Sequence, residues 1–241
     1  VIWTHTHTAQ NKFIVGVFKE LRIPAELVKN MIIKGTPLLV NETLWAGGQA
    51  AMLQNYSVRG LAVVAAMNIS STISNVFNIV FISMGSSIAI ILGQELGAGK
   101  TTEAHADANK LTFFSVACCV ATGALMLCAA PLFPQIYNTS EEVRSLAASF
   151  IRVAACCMPM YAYENATYFT IRSGGKTFIT FLFDSCFVWV CSIPLAFVLT
   201  HYTSLPITLL YLCCQLVELI KCAIGYRLVK KGIWINRITS Y

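Results

Sequence analysis

Apolar residues dominate six long stretches, at 31–54, 61–93, 111–134, 145–171, 177–200 and 206–229. Each reaches the roughly 20 residues that a helix needs to cross a bilayer. Short polar connections separate them, at NYSVRG (55–60), QIYNTSEE (135–142), RSGGKT (172–177) and HYTSLP (201–206), and no length is left for a soluble domain. Ahead of the first stretch, KELRIPAELVKNMIIKGTP (19–37) reads as an amphipathic, basic segment lying along the interface. The pattern predicts an all-α, polytopic membrane protein with one bundle of six transmembrane helices over 31–229. A tail follows over 230–241, and the short apolar start VIWT, ahead of a polar stretch, reads as the tail of something cut off.

Composition agrees with the pattern. The 241 residues are 56% hydrophobic and 12% charged, with a mean hydropathy of +0.66, whereas soluble domains carry about 25% charge. A net charge of +6 raises the question of nucleic acid. The basic residues punctuate apolar runs instead of forming a polar surface, so nucleic acid is not an expected partner and the lipid bilayer is. Lys12, Lys19, Arg22, Lys29, Lys34, Lys100, Lys110, Arg172, Lys176, Lys221, Arg227, Lys230, Lys231 and Arg237 fall on one side of the span pattern. Only Arg59, Arg144 and Arg152 fall on the other. By the positive-inside bias the first side is cytoplasmic, which puts both termini of this segment there, in the plasma (inner) membrane. The ten cysteines lie in apolar segments without C-x-x-C pairs and read as small buried hydrophobes. His5, His7, His105 and His201 fall in the amino-terminal stub or in expected loops, and no metal site is assigned.

The stretch LGQELGAGKTTEAHADANK (92–110) resembles a phosphate-binding loop, because a glycine turn runs into Lys100 and Thr101. The spacing refutes this. A P-loop places its first glycine five positions before the second, where this chain has Gln94; Gly93 comes one residue too early. The run before it is also too long for the single strand a P-loop follows. Gly97 and Gly99 are expected to end the second helix, with Thr101 or Thr102 capping a polar surface helix that leads into the third. Without an intact phosphate loop, a metal cluster or a Ser–His pair, the chain is not expected to be an enzyme and needs no cofactor.

Polar residues inside the apolar stretches carry the chemistry. Asn68, Ser71, Thr72, Asn75 and Asn78 follow helical spacing and give the second helix one polar face. Such a face serves either interhelical hydrogen bonding or the wall of a watery cavity. Carboxylates in hydrocarbon cost about 2.5–3.5 kcal/mol on insertion scales and point to function. Glu42, Glu164, Asp184 and Glu218 qualify, and Glu218 has a local partner in Lys221 three residues on. Glu42, Glu164 and Asp184 each lie eight residues from a basic residue at a helix end (Lys34, Arg172 and Lys176). That spacing puts all three at one depth, roughly 12 Å from the edge. Glu164 and Asp184 are on consecutive antiparallel helices, so they are candidates to share a proton or a cation. The competing reading has each bonded separately to nearby Asn, Ser or Tyr. Trp45 and Gln49 share the face of Glu42, and Tyr161 and Tyr168 flank Glu164. Acid beside aromatic suits an amphipathic organic cation. Pro37, Pro159 and Pro194 interrupt helices and free backbone groups for bending or binding.

Taken together, GTPLLVNETLW (35–45), AAMNISSTISNVF (65–77), ILGQELGAGKTTEA (91–104), FIRVAACCMPMYA (150–162) and IRSGGKT (171–177) resemble the carboxy-terminal half of MATE (multidrug and toxic compound extrusion) transporters. The GQELGAGK stretch is similar to that family's Gly-Gln…Gly-Ala-Gly loop. The resemblance implies one six-helix bundle of a twelve-helix carrier, with residues 1–30 linking it to a missing amino-terminal six-helix half. It further implies an antiporter that exports small organic cations or amphipathic compounds, with sodium or a proton as coupling ion. Glu42 matches an acid that several branches use in the helix corresponding to the first one here, although Pro37 stands closer to it than in some branches. Glu164 lies in roughly the region where one branch carries a cation-binding Asp. The alternatives are a flippase of lipid-linked saccharides, which favours a basic cavity, and a self-contained six-helix carrier that dimerises.

Overall fold

A computed structural model describes residues 24–235. The expectations for the linker up to residue 23, for His5 and His7, and for the tail beyond residue 235 lie outside the described residues. So does the side chain of Lys34, from which the depth of Glu42 was counted. The chain divides after Pro37 into two units. In the described part of the first, a helix begins at Ala25 and exposes Leu27, Met31, Ile32 and Ile33. Pro37 lies within it and has no N–H to offer the Ile33 carbonyl.

The second unit is a bundle of antiparallel helices. Helix α1 is Ala25–Ser57, α2 is Leu61–Gly97, α3 is Thr101–Ala129, α4 is Glu141–Ser173, α5 is Thr177–Tyr202 and α6 is Ile207–Lys230. There are no strands among the described residues. Five of these helices, α2 to α6, are long and apolar enough to cross a membrane. Helix α1, expected to span over 31–54, is long enough but carries Asn41, Glu42, Gln49 and Gln54, and falls short in apolarity.

The ends follow local chemistry. Ser140 caps α4 by accepting from the Val143 N–H at 3.4 Å, and Glu141 and Glu142 complement the helix dipole, so α4 starts earlier than its apolar run. Pro131 and Pro134 stop α3 at Ala129 and leave a short 3₁₀ turn, Phe133–Ile136. At its other end α3 takes in the whole of TTEAHADANK, which is no separate surface helix. His105 is therefore helical, as is His201 near the end of α5. Neither Thr101 nor Thr102 caps α3; Lys100 stands at the cap and pairs with Glu103 at 2.8 Å. Helix α2 closes on Gly99 in the left-handed region (φ 76°), with Lys100 N–H donating to Glu95 O and Gly99 N–H to Leu96 O. This is the Schellman pattern. The α4–α5 turn repeats it in part: Gly175 has φ 73°, and Lys176 matches the backbone of Lys100 (φ/ψ −82°/57° and −83°/56°). Each Gly-Lys-Thr is thus a connector between two helices.

Helix α4 is the axis of this unit. It packs against α2, α3 and α6, and half of its most apolar window is buried, against 22% for α2 and for α3. Small residues permit the close contacts. Pro159 leaves the Ala155 carbonyl without its helical N–H, and α3 approaches that oxygen at Gly123, where a Cβ would stand 2.8 Å from it. Arg59, in the α1–α2 turn, donates to the Leu199 carbonyl at 3.2 Å and to that of Thr203, capping the last turn of α5. After α6 the chain folds back, and Trp234 is fully buried among Leu96, Ala104, Ala108 and Ala166. All ten cysteines are free; Cys119, Cys157 and Cys214 are buried as expected, but Cys128 and Cys156 are exposed on their helices.

Candidate functional site

A cavity of about 870 Å³ opens among α1, α2, α4, α5 and α6. Each binding candidate lines it: Glu42, Trp45 and Gln49 from α1, Asn68 and Asn75 from α2, Tyr161, Glu164 and Tyr168 from α4, and Asp184 from α5. On the polar face of α2, Ser71 and Thr72 donate to the Asn68 carbonyl of their own helix, both at 2.9 Å, and tie no other helix. Asn68, Ser71, Asn75 and Asn78 present themselves to the cavity, whereas Thr72 does not.

The backbone is irregular where the acids sit. Helix α5 contains two π turns, Leu182–Cys186 and Val188–Ser192, followed by Pro194. A π turn inserts a residue into the helical count and re-aims the side chains after it. Helix α6 breaks its regular bonding at Val217, so that Ile220 N–H donates to the Val217 carbonyl.

These irregularities converge on Lys221. Its side chain is 3% exposed, and its ammonium contacts three carboxylates: Glu164 of α4 in a short ion pair, Glu218 at 3.1 Å and Asp184 at 3.6 Å. The Phe183 and Phe187 rings each lie 5.7 Å from it. Other polar groups hold the acids in place. Asn41 donates to Asp184 at 3.1 Å and reaches the Tyr168 hydroxyl at 3.4 Å, while the Ser185 hydroxyl lies 2.7 Å from the Asn41 carbonyl. Ser192 donates to Glu218 at 3.0 Å. When all four charged groups are ionised, three carboxylates around one ammonium leave two negative charges in surplus.

This arrangement changes three sequence expectations. The Lys221–Glu218 pair exists, but the same ammonium also joins Glu164 and Asp184, which therefore do not meet as a lone carboxylate pair. Lys221 is buried, so it does not count among surface cations; among the described residues, Arg227, Lys230 and Lys231 are the exposed ones at that end. Glu42 does not stand unpaired: Arg172 approaches it to 3.9 Å. Side chains on a helix lean toward its amino terminus, so Arg172 extends back along α4, past the Tyr168 hydroxyl at 3.4 Å and 5.7 Å from the Phe169 ring. Sequence reasoning missed Lys221, Asn41 and Arg172 as site residues. For Lys221 the signal was available, since a lysine deep in an apolar stretch demands the same explanation as an acid.

A family model, MatE, matches residues 37–198. The chain belongs to the MatE family. Its matched region holds α2, α3 and α4 whole and most of α1 and α5, with Asn41, Glu42, Glu164, Arg172 and Asp184 among its residues. The probable multidrug resistance protein YoeA of Bacillus subtilis (strain 168) is 20% identical over 199 residues, which are 81% of this chain and 42% of that protein. A solved structure of a MOP superfamily transporter from Pyrococcus furiosus Vc1 (DSM3638) superposes with a TM-score of 0.75 at 15% identity, covering 88% of this chain and 46% of that one. At that identity the likeness establishes the fold. The chain spans less than half the length of either relative. MatE proteins are transporters, and the polytopic helical fold read from the sequence is that of this chain.

Proposed function

We propose that the chain forms the carboxy-terminal half of a secondary active exporter of cationic or amphipathic compounds, driven by entry of sodium or protons. One observation carries the reading: a cavity walled by amides and aromatics holds a carboxylate cluster with more negative than positive charge. Carboxylates in excess of their cations in a poorly solvated place need a proton or a cation to balance them. Such a cluster is suited to exchange one for the other. Trp45, Tyr161 and Tyr168 supply apolar and cation–π contact for an organic cation. A flippase of lipid-linked saccharides calls for a basic cavity to hold phosphate. Here Glu42, Glu164, Asp184 and Glu218 outnumber Arg172 and Lys221 among the lining residues, which favours the exporter.

The test is ethidium efflux from cells expressing the transporter, with sodium and pH varied independently. Efflux is expected to respond to one of them, and Glu164→Gln and Asp184→Asn are each expected to shift that response at normal membrane expression. Wild-type ion dependence in both variants would remove these acids from the coupling pathway.

A further inference from the structure

We propose that Lys221 is a resident cation that competes with the transported or coupling cation for Glu164 and Asp184, so that an incoming monovalent cation binds by displacing its ammonium. This rests on the exporter reading and adds an exchange step to it.

The geometry supplies each part of the exchange. The Lys221 side chain is more deeply buried (3% exposed) than those of Glu164 and Asp184 (18% each), and all three reach the cavity wall. A cation arriving through the cavity therefore meets the carboxylates from their open side, with the ammonium behind them. A second cation on the same oxygens repels the first, and in a poorly solvated site that repulsion is only weakly screened. The lysine has somewhere to go. It is a compact charge on a flexible four-carbon stem, and besides Glu164 and Asp184 it has Glu218 at 3.1 Å and the rings of Phe183 and Phe187 at 5.7 Å to hold it when those two carboxylates are taken. Helix α5 carries Phe183 and Asp184 within its first π turn and Phe187 between the two, where a small backbone change re-aims these side chains. The groups facing the ammonium are thus Glu164 from α4, Asp184, Phe183 and Phe187 from α5, and Glu218 from its own helix, with Asn41 of α1 steadying Asp184. A tethered competitor has a clear use in a carrier: it fills the site after release and prevents a bare acidic pocket from holding its cargo.

Displacement and simple charge compensation make different predictions. The double variant Glu218→Gln with Lys221→Met keeps the net charge of the cluster while removing the competitor. A competitor seated about nine-tenths of the time reduces apparent affinity about tenfold. In the purified transporter, ethidium as the organic probe and sodium as the alkali probe are titrated separately at constant ionic strength. The double variant is expected to bind one of them about tenfold more tightly than wild type, and to turn over more slowly in efflux. The probe that gains identifies the cation. Lys221→Arg, whose planar fork holds two carboxylates more firmly, is expected to bind more weakly; it also serves if the double variant does not fold. Unchanged affinity in Lys221→Arg, or in a folded double variant, overturns the proposal and leaves the exporter reading standing. Failure of wild type to bind either probe, with no ethidium efflux, removes both.

Discussion

Asn41 is 2% exposed and sits at the crossing of α1 and α5, where its amide reaches Asp184 and Tyr168 while the Ser185 hydroxyl lies within bonding distance of its carbonyl and its side-chain oxygen. Asn41→Ala strands an Asp184 oxygen in a place with little water. A buried group left unpaired costs about 1–3 kcal/mol, so the melting temperature of the purified protein is expected to fall by several degrees; an unchanged melting temperature would show that water replaces the amide. The residues of this site were unequally legible. The acids stood out because hydrocarbon penalises charge regardless of neighbours, and the helical spacing of Trp45 and Gln49 from Glu42 put them on one face. Lys221 was hidden by a sufficient local explanation: Glu218 three residues before it accounted for the charge, and nothing in the sequence says that α4 and α5 bring two more carboxylates. Arg172 was read as a surface charge at a helix end, since sequence gives the position of the Cα but not the reach of a long side chain.

Helix existence and most ends were legible, because apolar runs, Gly99, Gly175 and the prolines each act locally. The π turns of α5 were not. In a helix apolar on nearly every face, an inserted residue leaves no break in periodicity, and only packing against α1 and α6 makes the turn worthwhile. Packing at glycines is likewise a tertiary matter. A Cβ at Gly225 would stand 2.5 Å from Thr167 Cγ2 of α4 and 3.2 Å from the Phe183 ring of α5, whereas one at Gly93 meets nothing within 4 Å. Gly225→Ala is expected to destabilise the protein by about 1–3 kcal/mol through overpacking. Gly93→Ala is expected to be neutral or slightly stabilising, since the added Cβ meets no neighbour and alanine is the better helix former. Thermal unfolding of the two variants side by side checks the difference, and equal melting temperatures would contradict the close α4–α6 packing.

Over the whole molecule, the alternation of helices and turns fixes which connections share an end. The Gly-Lys-Thr turns at 97–101 and 174–177 lie two helices apart and therefore at one end; the connections at 58–60, 130–140 and 203–206 lie at the other. By the charge bias the Gly-Lys-Thr end is expected to be cytoplasmic, even with Lys221 removed from the count. In a cysteine-free background, an impermeant maleimide added to intact cells is expected to label Asn138→Cys but not Thr102→Cys, and to label both after permeabilisation. The reverse pattern would invert the orientation. Family membership was legible because its motifs are turn and helix-end signals, short and local. The cavity was legible only as a list of faces, since which faces enclose a common space depends on how the helices pack.

The placement of the tryptophans has an optical consequence. Trp45 and Trp189 are each 44% exposed, on α1 and α5, and the Trp189 indole N–H donates to the Leu44 carbonyl at 2.9 Å. Trp234 is sealed in the interior. Among the described residues, Trp189 thus bonds to the neighbour of Trp45, which lines the cavity, while Trp234 is held apart from both. Any sliding of α5 along α1 breaks or makes an indole hydrogen bond, and any aromatic cation in the cavity comes within quenching range of Trp45. The protein carries its own fluorophores at the place where the exchange of cations is proposed to occur.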